Sequence, residues 1–355
     1  EAAGDLGTWG GCGEGLLPFE EILDQLDNDC NGCTDDRPTS CNSALACPAP
    51  GDLPAGQPFQ DYLIDGTAFY PDAAASWGWR VTGGPCDRLF DSLNMTASYQ
   101  LLGATSPQLI LRPTLSGDYA ITMRVTLPGG TAYTCHSVVH IAGSGLRVEM
   151  CSDDVDSDLD LHLHRPGTAT PWFTTQLNNT TINNDDCQYW NCMANPAVGT
   201  TSVDWGYANG PLVECAGAPQ GPEWTILGYC RNPRMDIEGS GLQRSRPESI
   251  SVDLPEDGAA YRAMVHYYEG PPSNLTVHPL VNVYCGGRLE GTFGQAPDLV
   301  PGFDTPGGFG AGEMWRVVDI TPSVVGGVTT GCDLSPLHPP GMLSGYWVTV
   351  NNRSY

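Results

Sequence analysis

Between Asp27 and Asp36 the chain reads DNDCNGCTDD, and its oxygen-bearing side chains fall where a calcium loop places them. Asp27, Asp29 and Asn31 take positions 1, 3 and 5, Gly32 the sharp turn at position 6, and Asp35 position 9. Position 7 donates a backbone carbonyl, so Cys33 serves there at no cost. Position 12 is Pro38, where a full EF-hand has a bidentate Glu. The expectation is therefore a calcium-binding turn short of a complete EF-hand, and its competitor is an acidic turn that water solvates.

A second set of ligand-type residues lies near the middle of the chain. In an extended strand Asp156, Asp158, Asp160, His162 and His164 share one face, while Leu159, Leu161 and Leu163 share the other. Carboxylates at every second position repel, and a bound cation or nearby arginines would relieve them. His162 and His164 beside Asp158 and Asp160 also suggest a transition-metal or general-base site. We read His162 instead as a polar-face histidine hydrogen-bonded to a neighbouring carboxylate. HExxH and GxSxG are absent, as is GxGxxG in a strand-to-helix setting, so catalysis is not expected. Trp205, Tyr267 and Tyr268 offer a sugar-stacking platform, with burial in a sandwich core as the commoner alternative.

The elements that must position these residues are strands. Apolar residues come in short alternating runs between Gly, Pro, Asn, Asp, Ser and Thr turn signals. One helix is expected over Phe19 to Leu26, just ahead of the first acidic loop, and 47–52 reads as a linker. Strands are expected over Phe59 to Leu63, Ser76 to Val81, Gln108 to Arg112, Tyr119 to Leu127 and Tyr133 to Ile141. A further strand, Leu146 to Met150, opens a second and larger β unit. The Asn- and Thr-rich stretch 174–184 reads as an exposed loop.

Composition bounds the rest. The chain has 355 residues and a net charge of −26, with 41 acidic residues against 15 basic ones, all of them arginine. Such a charge repels nucleic acid and anionic membranes and attracts divalent cations. A saline habitat explains the acidity equally well. Fourteen cysteines spread along the chain fit disulfides in an oxidising compartment. No apolar run nears the roughly twenty residues that cross a bilayer. The absence of a charged-then-apolar leader, with Glu1 first, leads us to expect a mature secreted form. Sequons stand at Asn94, Asn178, Asn179, Asn274 and Asn352 and say little beyond surface exposure.

Three stretches resemble known families. Glu21 to Asp36 resembles the short metal-binding motif of secreted bacterial proteins, E-x-C-D-G-x-D-N-D-C-D-G-x-x-D-E, with Leu23 and Gln25 in place of its first cysteine and glycine. Trp77-x-Trp79 and the run Gly117-Asp118-Tyr119 through Val125 resemble a PKD-like domain, which implies an immunoglobulin-like sandwich acting as spacer or adhesive module. Asp156 to Leu163, Asp186 to Cys192, Asp204 to Gly206, Met235 to Glu238, Pro247 to Ile250 and Tyr261 to Tyr268 resemble, in order, a domain of secreted proteins from Gram-negative bacteria. That pattern is D-x-D-L-D-L-H-L, D-C-x-Y-x-N-C, D-W-G, L-D-x-D-D, G-P-E-x-I and Y-x-V-x-V-H-Y-Y. Its acidic side chains, Asp204, Asp236, Glu238 and Glu248, are expected to join Asp156, Asp158 and Asp160 around calcium. Glu238-Gly239-Ser240 replaces the usual D-D pair.

The sequence thus predicts an all-β protein: a disulfide-rich segment with the acidic loop (1–52), a PKD-like sandwich (53–145) and a larger β-sandwich domain (146–355). Expected disulfides are Cys86–Cys135, Cys187–Cys192, Cys215–Cys230 and Cys285–Cys332, with Cys151 tied to the N-terminal segment. The expected role is a calcium-stabilised structural subunit of a cell-surface or extracellular assembly of a Gram-negative bacterium, formed by self-association. The alternative is a calcium-dependent adhesin or carbohydrate-binding module.

Overall fold

The computed structural model describes residues 47–48, 53–70, 74, 76–86 and 98–352, apart from 155, 169–172, 177–178, 183, 197–201, 240–246, 271–275, 296–297, 299, 301 and 309–310. The expected helix over Phe19 to Leu26 and the acidic loop Asp27 to Asp36 lie outside the described residues. Within them the fold is all-β, and each strand pair is antiparallel. No described helix is long and apolar enough to cross a membrane.

The first unit contains β1 (Tyr62–Asp65), β2 (Ser76–Gly83), β3 (Tyr99–Leu102), β4 (Gln108–Pro113), β5 (Gly117–Thr126) and β6 (Ala132–Ile141). They form two three-stranded sheets, β1-β4-β3 and β2-β5-β6. Alternation along β5 turns Tyr119, Ile121, Met123 and Val125 inward, where they meet Leu109 and Leu111 of β4, Trp79 of β2 and Cys135 and Val139 of β6. One core shared by two sheets is a sandwich. β3 went unpredicted, because Tyr99–Leu102 is short and only half-buried.

The second unit opens with β7 (Leu146–Ser152) and β8 (Asp158–His164), followed by β9 (Phe173–Gln176), β10 (Asn179–Ile182) and β11 (Asp186–Cys187). β9 and β10 form a hairpin where a loop was expected. The β-branched threonines that look like loop polarity favour strand backbone equally well. Two short helices follow, α1 (Leu212–Cys215) and α2 (Gly221–Leu227), and then β12 (Arg234–Ile237), β13 (Glu248–Val252), β14 (Tyr261–Glu269), β15 (Pro279–Cys285), β16 (Arg288–Phe293), β17 (Glu313–Val325), β18 (Val328–Pro336) and β19 (Trp347–Val350). One sheet runs β12-β13-β7-β15-β16, and the other β11-β8-β14-β17-β18 with β19 also on β17. Leu146 and Val148 of β7 and Val281 and Val283 of β15 pack against Leu161 and Leu163 of β8, Val265 of β14 and Trp315 of β17. This is a second, larger sandwich.

Three expected disulfides are present: Cys187–Cys192, Cys215–Cys230 and Cys285–Cys332. Two expectations are corrected. Cys135 pairs with Cys47 and not with Cys86, because Cys135 points into the first core, against which Cys47 packs. Cys86 pairs with Cys151, so the crosslink into the second unit starts from the first sandwich and not from the N-terminal segment.

That crosslink sits in a buried joint. Phe59 and Leu115 meet Ile237, Leu280 and Ala218 around it. The Ser116 N–H donates to both carboxylate oxygens of Glu149, at 2.8 and 3.0 Å. At Gly145, between β6 and β7, φ is +70° and a Cβ would sit 2.2 Å from the Val252 carbonyl, so only glycine fits that turn.

Candidate metal centre

β8 is buried along its whole length. Leu159, Leu161 and Leu163 enter the sandwich core, as their alternation requires. The opposite face carries Asp158, Asp160, His162 and His164 and is covered too, so what looked like a polar surface is an interior. Tyr268 of β14 stacks edge-on against His266 and Tyr189 above this face. The turn around Gly307 closes over it, with its carbonyls on His266.

The candidate ligands singled out by sequence are placed differently from one another. Asp27, Asp29, Asn31, Cys33 and Asp35 lie outside the described residues. Asp156 is exposed at the entrance to β8. Asp204 is exposed and accepts the Gly206 N–H at 2.8 Å, capping its own turn. Asp236 is fully buried, but in the other sheet. There Arg234 Nε donates to it at 2.7 Å and Arg147 Nη1 at 3.2 Å, so this carboxylate is neutralised by guanidinium rather than by an ion. Among the described candidates, Asp158, Asp160, Glu238 and Glu248 come together.

Glu248, on β13, bridges the two sheets. Its Oε2 accepts the Leu161 N–H at 2.6 Å, at the edge of β8 beyond the two residues that β11 covers. Burial pushes its carboxyl well above the usual range, and the charges of Asp160, Glu238 and Asp158 push it further.

Two histidines join Asp160. His162 Nδ1 lies 2.6 Å from Asp186 Oδ2, both groups being fully buried. Burial, then the neighbouring His266, lowers the His162 imidazole to about 3 against the pull of Asp160, so it is neutral in ordinary buffers. Burial also raises the Asp186 carboxyl well above its usual value. His266 Nδ1 stands 3.4 Å from Asp160 Oδ2, while its Nε2 faces the carbonyls of Gly307 and Ala311 at 3.1 and 2.7 Å. Ligand atoms of Asp160, His162 and His266 all lie within 4.8 Å of one another.

His162 is hydrogen-bonded to a carboxylate, as read from sequence, but the partner is Asp186 rather than a strand neighbour. His266 and Asp186 were missed as site residues. Both stand inside ordered motifs, the VHYY and DCQYWNC stretches, where the only signal was that histidine and aspartate interrupt apolar runs. Trp205 and Tyr267 are buried in the core, which removes them from any sugar-stacking row.

No protein-family model and no curated protein matches the chain. Among solved structures, the PKD domain from KIAA 1837 protein is similar at 20% identity over 29% of this chain and 90% of that one, with a TM-score of 0.22. The extracellular cadherin domains 1–4 of protocadherin gamma B7 are similar at 13% identity over 59% of this chain and 39% of that one, with a TM-score of 0.13. Neither overlap is close enough to bear on function.

Proposed function

We propose that this chain is a structural subunit of an extracellular or cell-surface assembly, stabilised by calcium at its N-terminal acidic loop. The observation that carries the reading is the joint. Two sandwiches are fastened by a disulfide, an apolar cluster and a buried carboxylate, an arrangement that resists relative motion of the units and suits a load-bearing spacer. Disulfides throughout the described residues fit an oxidising compartment.

Association of copies must overcome a charge of −26 on each chain. Repulsion is only partly screened at physiological salt, where the Debye length is about 8 Å, so contacts need cations, Arg–carboxylate pairs or apolar patches. Edge strand β18 offers backbone for pairing, and exposed Val325 and Val328 flank the Gly326-Gly327 turn at its start. Negative-stain imaging of cell-surface extracts, with calcium and after chelation at low ionic strength, tests the proposal. Polymers that dissolve on chelation and return with calcium are expected. A chain that stays monomeric at high concentration with calcium present would overturn the reading in favour of an adhesin or sugar-binding module.

A further inference from the structure

The second sandwich holds two buried acidic groups that are balanced in different ways. Asp236, Asp253 and Glu149 face the guanidinium groups of Arg234 and Arg147. Asp160 and Asp186 face the imidazoles of His266 and His162 instead, with Asp158 and Glu248 close by. Imidazole differs from guanidinium in offering a ring-nitrogen lone pair that can bind a metal, so the two corners differ in the chemistry open to them.

The tautomers are fixed by what lies behind each ring. Carbonyl oxygens only accept, so His266 Nε2, set between those of Gly307 and Ala311, carries the proton. Its Nδ1 therefore turns a lone pair toward Asp160 Oδ2 at 3.4 Å, an opposition that either a proton or a metal ion between the two atoms relieves. On His162, a proton shared between Nδ1 and Asp186 leaves Nε2 as the nitrogen to bind an ion. The Asn191 side chain in turn donates to the Asp186 backbone carbonyl at 2.9 Å and steadies that residue. Metal-bound histidines usually have such a partner, a carboxylate or a carbonyl on the far nitrogen that sets the tautomer and raises the basicity of the ligand.

We propose that Asp160, His162 and His266 form a structural site for a borderline divalent transition ion, of which zinc is the representative. Two nitrogens and one carboxylate suit that class, whereas calcium takes six to eight oxygens. Ligand atoms around a tetrahedral zinc lie about 3.3 Å apart, given metal–ligand bonds of about 2.0–2.1 Å. A spread of up to 4.8 Å thus closes with small side-chain movements. The three ligands come from neighbouring strands, β8 and β14, and the turn around Gly307 is held through His266, so the ion would staple that turn onto the sheet. The site does not depend on the assembly reading, and its three side chains are distinct from the N-terminal loop, which offers oxygens alone.

The test uses the full-length, oxidised chain, stripped with chelator and titrated with cobalt(II) and then zinc. One equivalent of cobalt should bind with the strong visible absorption of a low-coordinate nitrogen and oxygen site, and zinc, but not excess calcium, should abolish that absorption. Zinc-edge X-ray absorption should count two imidazoles. His266→Gln should remove the visible band. Asp186→Asn, which leaves all three ligands in place, should weaken zinc about 10- to 100-fold without changing the stoichiometry. Surface His140→Gln should change nothing. If His266→Gln does not fold, the imidazole count on the unaltered chain decides alone. A chain with native near-ultraviolet dichroism that takes up no cobalt, a zinc shell without imidazole, or displacement of zinc by calcium would overturn the proposal.

Discussion

A buried carboxylate is stable only with a partner, and Glu149 shows how much hangs on one residue. It accepts the Ser116 N–H across the joint and Arg147 Nε at 3.1 Å within its own strand. Glu149→Ala leaves a buried N–H and a buried guanidinium under-compensated, which should cost about 3–5 kcal/mol in urea unfolding with disulfides intact. The pH dependence has the opposite sense to that of an ordinary ion pair. Burial is the largest influence on this carboxyl and raises it above its usual value. The native state therefore holds the proton more readily than the unfolded chain does. Stability from this group is fully present below the ordinary glutamate range and is lost as pH rises through the raised native value. Unfolding free energies measured from about pH 4.5 to 8 should show that slope in the unaltered chain, and Glu149→Gln should flatten it. None of these partnerships was legible in the sequence. Arg147 meets Asp236 across 89 positions and His266 meets Asp160 across 106, so the chain displays acids and bases without their pairing. What was legible is local: the Leu159, Leu161 and Leu163 face, and the crowding of carboxylates that calls for cations.

Among the elements of the first sandwich, strands were read where alternation is strong, and the four-residue β3 was missed. β2, β4, β5 and β6 follow the expected runs to within a few residues, and their inward residues are the ones the alternation selects. β8 was placed correctly but given a wet face. The turn around Gly307 and the tyrosines Tyr189 and Tyr268 come from distant elements, and no period within β8 records them. Among disulfides, Cys187–Cys192, Cys215–Cys230 and Cys285–Cys332, with separations of 5, 15 and 47, each join cysteines of the second sandwich and were found, whereas Cys47, Cys86, Cys135 and Cys151 interleave around the joint. Replacing Cys86 and Cys151 together by serine should remove about 2–4 kcal/mol of stability. It should also let the units separate, read as faster protease cleavage near 142–145 with both sandwiches otherwise intact.

At the scale of the whole molecule the disulfides tie the two sandwiches into one covalent frame. The frame has a mechanical side. When tension enters the chain at Cys47, it can cross directly to Cys135, pass through the end of β6 and the Ala142–Gly145 turn into β7, and reach Cys151. That route is the shortest covalent path, so it takes the strain while the slack residues between Cys47 and Cys135 stay unstretched. Single-molecule pulling of the oxidised chain should therefore show almost no lengthening from the first sandwich, and breaking Cys47–Cys135, by reduction or by a Cys47→Ser and Cys135→Ser variant, should add a step that matches the 88 positions between them. In a filament of such subunits the first sandwich would behave as a bead clamped beside the cable, kept folded under loads that would unravel an uncrosslinked domain of the same fold.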